Sequence, residues 1–327
     1  MNEREVRFDN LKGLLILLVV FGHCIEYTNN LSTDKTIADY IYVLMYTFNM
    51  STFSMISGYF SKKSRTESII SLLVLFTLFH FIGWLLFVRI GSKILTPWWT
   101  SWYLLSLIFW KALIPIVGRF RFALPVSIII AILTGFTVAD RFLAISRTIC
   151  FFPYFIAGYK LKASTIELLR NKPKITFIMP FIFVFVVFTF LYFHPVRLIE
   201  PIYMTSPYSS HGLSSLYSVI LRTIILCSGL ILAYSLLVLI TDKNTWLTSF
   251  GRNSLAIYIL HSYSLPIVFT SIMKFSNATC QPFILLSISI AFAILFCMAF
   301  GRDIISRFIT NIVSSIVAYC VLPSSKD

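Results

Sequence analysis

Residues 7–26 read RFDNLKGLLILLVVFGHCIE: Arg7 and Lys12 at one end, an uncharged run over 13–22, then His23 and Glu26. An apolar run bounded by charges at both ends reads as a helix that crosses a membrane. Runs of the same kind recur down the chain, at 11–28, 39–60, 67–88, 98–117, 123–139, 148–161, 175–193, 216–240, 254–273 and 282–300. The 327 residues are 58% hydrophobic and 12% charged, with a mean hydropathy of +0.86. Soluble domains carry charge on about a quarter of their residues, so a water-soluble globule is excluded. The fold class predicted is all-α: a polytopic integral membrane protein with about ten transmembrane helices.

The chain holds 27 Lys and Arg against 13 Asp and Glu, a net charge of +14. In a soluble protein this excess would point to nucleic acid; here it reads as insertion orientation, and no nucleic-acid partner is expected. With the N-terminus inside, 18 basic residues fall on inner segments and seven on outer ones, with Lys111 and Arg222 inside helices. The positive-inside rule then predicts N-in and C-in topology. Basic residues before the first apolar run give a signal-peptide look. No small-residue cleavage site follows, so a retained first helix is expected. The six cysteines stand singly, without C-x-x-C spacing, and predict neither a disulfide framework nor a metal site. Residues 303–327 form a tail, either an interfacial helix or a further span.

Lys12 and His23 are eleven residues apart, three turns plus about 20°, and so share one helix face roughly 16 Å apart. Glu26 follows His23 at i+3, within reach of one ring nitrogen, which leaves the other free as a base. Ionisable groups inside a span are costly and face a cavity or a partner. The competing reading has Lys12 snorkelling to the inner interface and His23 and Glu26 packing near the outer one.

These residues, with three later stretches, resemble membrane acyltransferase family 3. Its first helix carries Arg/Lys-x10-His, here Lys12 and His23. FNMSTFSMISGYF (48–60) resembles the family's F-x-x-S-G-F/Y element. RTICFFPYFIAGY (147–159) is similar to the R…FFPFFxxGY segment of the branch that includes fucose O-acetylases, and GRNSLAIYILH (251–261) to a late G-x-N-S-L-x-I-Y-x-L-H element. The four matches stand in the family's order.

The resemblance implies an acyltransferase transmembrane domain over 1–302 in the bacterial inner membrane. Such an enzyme moves an acyl group, usually acetyl, from cytoplasmic acetyl-CoA to a hydroxyl, often on a sugar of an O-antigen or another surface or lipid-linked polysaccharide. Its other partners are membrane lipids, and no metal is implied. Many relatives carry R-x-x-R after the S-G-F turn. This chain has Ser61-Lys62-Lys63-Ser64-Arg65, which keeps the charge without the paired Arg geometry. Lys12, Lys62, Lys63 and Arg65 are accordingly assigned to the CoA phosphates, His23 to the base and Glu26 to its orientation.

The remaining candidates serve the acceptor. Ser254, Tyr258 and His261, at i, i+4 and i+7, form a polar stripe that either lines the cavity or bonds neighbouring helices. Arg147 either contacts acceptor or anchors the helix at the interface. His80, His194 and His211 are read as structural, and Trp98, Trp99, Trp102 and Tyr103 as an aromatic belt. Buried Arg222 needs a partner, for which Glu26 and Glu200 are available. A transporter of a lipid-linked sugar is the competing function, although no internal repeat of the kind carriers show is visible.

Overall fold

The computed structural model describes residues 3–63, 66–87, 95–137, 142–193, 198–275 and 281–320. Helices account for nearly all of them: α1 (Glu3–Thr28), α2 (Thr36–Phe60), α3 (Thr66–Phe87), α4 (Trp102–Val117), α5 (Ala123–Leu133), α6 (Ile145–Lys160) and α7 (Ala163–Arg170), then α8 (Ile175–Phe193), α9 (Ile199–Tyr203), α10 (Ser215–Leu239), α11 (Trp246–Arg252), α12 (Ser254–Phe275), α13 (Pro282–Phe300) and α14 (Asp303–Cys320). The chain is an all-α polytopic membrane protein.

Each of the ten apolar runs is helical, but only seven described helices are both long and apolar enough to cross a membrane. The other three are α2, α5 and α12. Ala123–Phe136 is short as an apolar helix, and α12 is apolar over Ser254–Phe269. α2 is long, but Thr47, Asn49, Ser51, Thr52 and Ser54 lower its hydropathy and are buried within the protein. The hydroxyls of Thr47, Ser51, Thr52 and Ser54 donate to carbonyls three or four residues earlier, so they need no water.

α1 is the hub. It packs against α2, α11, α12 and α13, and 72% of its apolar window is buried, against 17% for α3 and for α8 at the periphery. Its first turns are tied down by Asn10, which is fully buried. Nδ2 of Asn10 donates to the carbonyls of Thr241 and Lys243, and its Oδ1 accepts from the hydroxyls of Thr245 and Thr248. Arg7 is buried beside Glu167 at 3.0 Å and Asp242 at 3.7 Å, which joins α1 to α7.

Two reciprocal glycine contacts set how closely the helices approach. A Cβ on Gly58 would lie 1.9 Å from the Phe155 carbonyl oxygen, and one on Gly158 would lie 1.8 Å from that of Met55. α2 and α6 therefore cross backbone to backbone, as small residues allow in membranes. Gly13 and Gly251 do the same for α1 and α11, against Leu247 and Asp9. The atoms in the way are backbone carbonyls that cannot swing aside. Gly158→Val should therefore exceed the usual overpacking penalty of about 1–3 kcal/mol. The expected result is a protein that is made but loses its monodisperse peak on gel filtration in mild detergent. A peak and melting temperature equal to wild type would show that the crossing tolerates a side chain.

α14 lays Ile309, Val313 and Val317 in a cluster with Leu75 and Phe79 of α3 and leaves Ile304 and Phe308 on its outer side. Asp303 at its start accepts a hydrogen bond from Asn253 at 2.9 Å.

Candidate active site

The last turns of α1 carry His23 and Glu26 one turn apart, and the side chains meet: His23 Nδ1 lies 2.7 Å from Glu26 Oε2. The other carboxylate oxygen accepts two further hydrogen bonds, from the Tyr42 hydroxyl of α2 at 2.7 Å and the Tyr203 hydroxyl of α9 at 3.0 Å. A carboxylate that accepts from Nδ1–H selects the tautomer in which Nε2 is the free acceptor. The ring is held from two more sides. Trp99 meets it edge-on at 4.5 Å between centroids, and His261 stacks on it at 5.4 Å.

His23, Glu26, Tyr42 and Tyr203 share the wall of a cavity of about 610 Å³ with Tyr46, Trp84, Trp98, Trp99, Trp102 and Arg147. That size suits a small-molecule site. Backbone strain gathers around it. Trp99 (φ 31°), Leu143 (φ 47°), Ala144 (φ 52°) and Met204 (φ 56°) are the non-glycine residues with positive φ among the described residues. Trp99 and Ala144 line the cavity, and Met204 stands between the lining residues Tyr203 and Thr205. Such conformations cost about 1–3 kcal/mol each and cluster where a site is held in a fixed shape.

Arg147, in the first turn of α6, enters the cavity with Nε donating to the Tyr203 carbonyl at 3.2 Å and its guanidinium 4.9 Å from the Trp102 ring. No described carboxylate lies within ion-pairing distance of it. His261 is fully buried behind His23. Its Nδ1 donates to the Ile257 carbonyl at 3.1 Å, and its Nε2 has no partner among the described residues. Tyr258 bonds a neighbouring segment, donating its hydroxyl to the Thr100 carbonyl. Ser254 starts α12, two turns before His261, and is not among the residues that line the cavity.

The basic candidates occupy the opposite end of α1. Lys12 Nζ is 2.7 Å from Asp9 and 5.9 Å from the centre of the Phe60 ring, and Arg252 reaches the same Asp9 at 3.6 Å. Lys62 donates to the Leu161 carbonyl and lies over the Tyr59 ring at 4.3 Å. Arg65 and the side chain of Lys63 are outside the described residues. The described pair therefore stands where α1 begins and α2 ends, about three helical turns from His23, and neither lysine lines the cavity.

Several readings change here. Trp98, Trp99 and Trp102 are cavity walls rather than belt residues alone, because the turn before α4 folds inward over His23. Arg222 is buried against neither Glu26 nor Glu200. It donates to the Ser206 carbonyl at 3.2 Å and lies over the Tyr208 ring at 4.8 Å. His80 accepts the Trp98 backbone N–H at 3.1 Å. His211 sits 3.3 Å from the Ser206 hydroxyl, in the connection before α10, where burial and nearby Arg222 push its imidazole pKa down. His194 is outside the described residues. Sequence reasoning missed Tyr42, Tyr46 and Tyr203. The i, i+4 pair of tyrosines on α2 was a visible signal, whereas nothing local marked Tyr203.

A partly buried imidazole, hydrogen-bonded to a carboxylate, thus stands on the wall of a cavity inside a helical membrane protein. The chain belongs to acyltransferase family 3: the family model, described as an acyltransferase domain, matches residues 5–302. It is thus a membrane protein that carries an acyltransferase domain. Among curated proteins it is similar to the nodulation protein NolL of Mesorhizobium japonicum, 37% identical over 73 residues, 21% of this chain and 20% of that protein. It is also similar to NolL of Sinorhizobium fredii, 40% identical over 58 residues, 18% of this chain and 16% of that one. The alignments thus span about a fifth of the relatives' length or less. No solved structure matches the chain.

Proposed function

We propose that this protein is an O-acetyltransferase of the bacterial inner membrane that moves acetyl from cytoplasmic acetyl-CoA to a hydroxyl of a cell-surface or lipid-linked polysaccharide sugar. The observation that carries this reading is the His23–Glu26 pair, clamped by two tyrosines on the wall of an aromatic cavity. A sugar hydroxyl is too weakly acidic to attack a thioester at neutral pH unless a base takes its proton as the new bond forms. His23 Nε2 is that base, and Glu26 stabilises the imidazolium as the proton arrives. Trp98, Trp99 and Trp102 offer flat apolar faces to the C–H faces of a sugar ring, while the polar tyrosine edges face its hydroxyls.

The donor binds from the other end. In N-in topology Lys12 and Lys62 stand at the cytoplasmic mouth, and with Lys63 and Arg65 they hold the phosphates. The pantetheine arm then spans the roughly 16 Å along α1 to His23. Residues 1–302 form the transferase domain, and 303–327 is a tail outside the chemistry. Acceptor transfer follows by direct attack, with thiolate leaving and recovering its proton from His23.

The test is to express the wild-type gene in cells that lack it and read ester-linked acetyl on surface polysaccharide by NMR, before and after mild alkali. Acetyl signals absent from the empty control are expected, and the carbon that carries them names the acceptor position. Unchanged acetyl content with altered polysaccharide export would replace the transferase with a carrier.

A further inference from the structure

The acyl-transfer reading leaves one half of the chemistry without a residue. When the acceptor oxygen attacks, the carbon–oxygen bond forms and the thioester π electrons move onto the carbonyl oxygen, while the hydroxyl proton passes to His23. Collapse re-forms the carbonyl, breaks the carbon–sulfur bond and expels the CoA thiolate, which takes the proton back. The transient oxyanion needs fixed donors, and in a water-poor site these outweigh most other contributions to rate. We propose that Arg147 is that donor, a catalytic residue that holds the acyl carbonyl oxygen as it becomes an oxyanion; the proposal rests on the transferase reading above.

Four observations converge on it. First, Arg147 is the one permanently charged cation among the described residues that line the cavity. Second, its Nε is committed to the Tyr203 carbonyl, but among the described residues its two terminal nitrogens have no partner and no carboxylate neutralises it. Charge without a counter-ion in a membrane protein is costly and calls for a transient or bound anion.

Third, the guanidinium is flanked by two aromatic rings, its centre 4.9 Å from the Trp102 ring and 5.7 Å from the Tyr203 ring, contacts that favour one placement of the fork. Fourth, Tyr203 couples the two halves of the site. Its hydroxyl donates to Glu26 at 3.0 Å and its backbone carbonyl receives Arg147 at 3.2 Å, so one residue sets the base and the cation in register. The placement also runs against ordinary helix design. A cation in the first turn of α6 opposes the positive end of the helix dipole, a small penalty that makes sense where positive potential is wanted.

The experiment uses inside-out membrane vesicles holding the full-length protein, labelled acetyl-CoA as donor and de-O-acetylated surface polysaccharide precursor as acceptor, with rates normalised to inserted protein. Arg147→Ala is expected to lower kcat about 10²–10³-fold, the usual loss of one oxyanion donor, with little change in KM for acetyl-CoA. Millimolar guanidinium should restore part of that rate in Arg147→Ala and none in wild type. Arg147→Lys, which keeps the charge but not the fork, should fall between the two and serves if the alanine variant does not accumulate. A loss confined to KM for the acceptor, or no rescue by guanidinium, overturns the oxyanion role and makes Arg147 a binding or structural group. Wild-type vesicles that transfer no label overturn the transferase reading itself, and Arg147 falls with it. An active wild type with an equally active Arg147→Ala removes only the role of Arg147.

Discussion

Replacing His23 by alanine should lower acetyl transfer about 10²–10⁴-fold, the range attributed to a single positioned general base, without lowering the amount of inserted protein. The size follows from what surrounds the ring. His23 Nδ1 is already held by Glu26, so the imidazole contributes one free nitrogen to the cavity, and no second histidine is among the described residues that line it. His261 stacks on the ring, but it is fully buried and does not line the cavity. The substitution leaves a small void at the end of α1, well away from the glycine crossings that hold the bundle together. Transfer rate in vesicles, divided by immunoblot signal, is the measurement. A rate within threefold of wild type would remove His23 from the chemistry.

Glu26→Gln should fall nearly as far, about 10²–10⁴-fold, although it changes the shape of the side chain hardly at all. The carboxylate accepts three hydrogen bonds, from His23, Tyr42 and Tyr203. A carboxamide has one good acceptor oxygen and a donor NH₂ in place of the second. If the NH₂ turns toward His23, it pins the wrong tautomer and Nε2 becomes a donor, useless as a base. If it turns toward the tyrosines, their hydroxyls lose the acceptor they point at. The comparable amide replacement in a serine-protease triad costs about 10⁴-fold for the tautomer reason. Tyr42→Phe and Tyr203→Phe each remove one of the two clamps, so a graded series is expected, with each tyrosine variant milder than Glu26→Gln. Steady-state rates of the three variants at equal abundance check the order. Tyrosine variants that equal or exceed the loss of Glu26→Gln would mean that the hydroxyls, not the carboxylate, do the orienting.

The motif geometry gives the sequence elements a division of labour. The S-G-Y-F stretch around Gly58 and the FFPYFIAGY segment around Gly158 look like two separate signatures in the chain. In the fold they are the two faces of one crossing, each glycine receiving a backbone carbonyl of the other helix. Asp9 and Gly13 of α1 meet Leu247 and Gly251 at the start of the late G-R-N-S-L element in the same way. Much of what reads as motif is thus the fit between helices, and a smaller set, His23, Met50 and Arg147, faces the cavity beside Glu26.

What the sequence alone determined is what depends on short-range periodicity and on composition. Lipid as solvent, an all-α fold, the helical runs, and the His23–Glu26 contact at i+3 all follow from residues within a turn or a window of one another, where helix geometry leaves little choice. Hydropathy registers the buried hydroxyls of α2 as polar, while the helix satisfies them with its own carbonyls, so α2 is not among the seven described helices that are both long and apolar. Only the tertiary structure brought Tyr203 to Glu26 across 177 positions, folded the tryptophan turn over His23, and gave Arg222 a carbonyl and a ring in place of a carboxylate. No local rule links such residues. Their meeting is decided by how closely helices pack at a few glycines and by which connecting segments then turn inward, and that is a property of the assembled bundle rather than of any one stretch of chain.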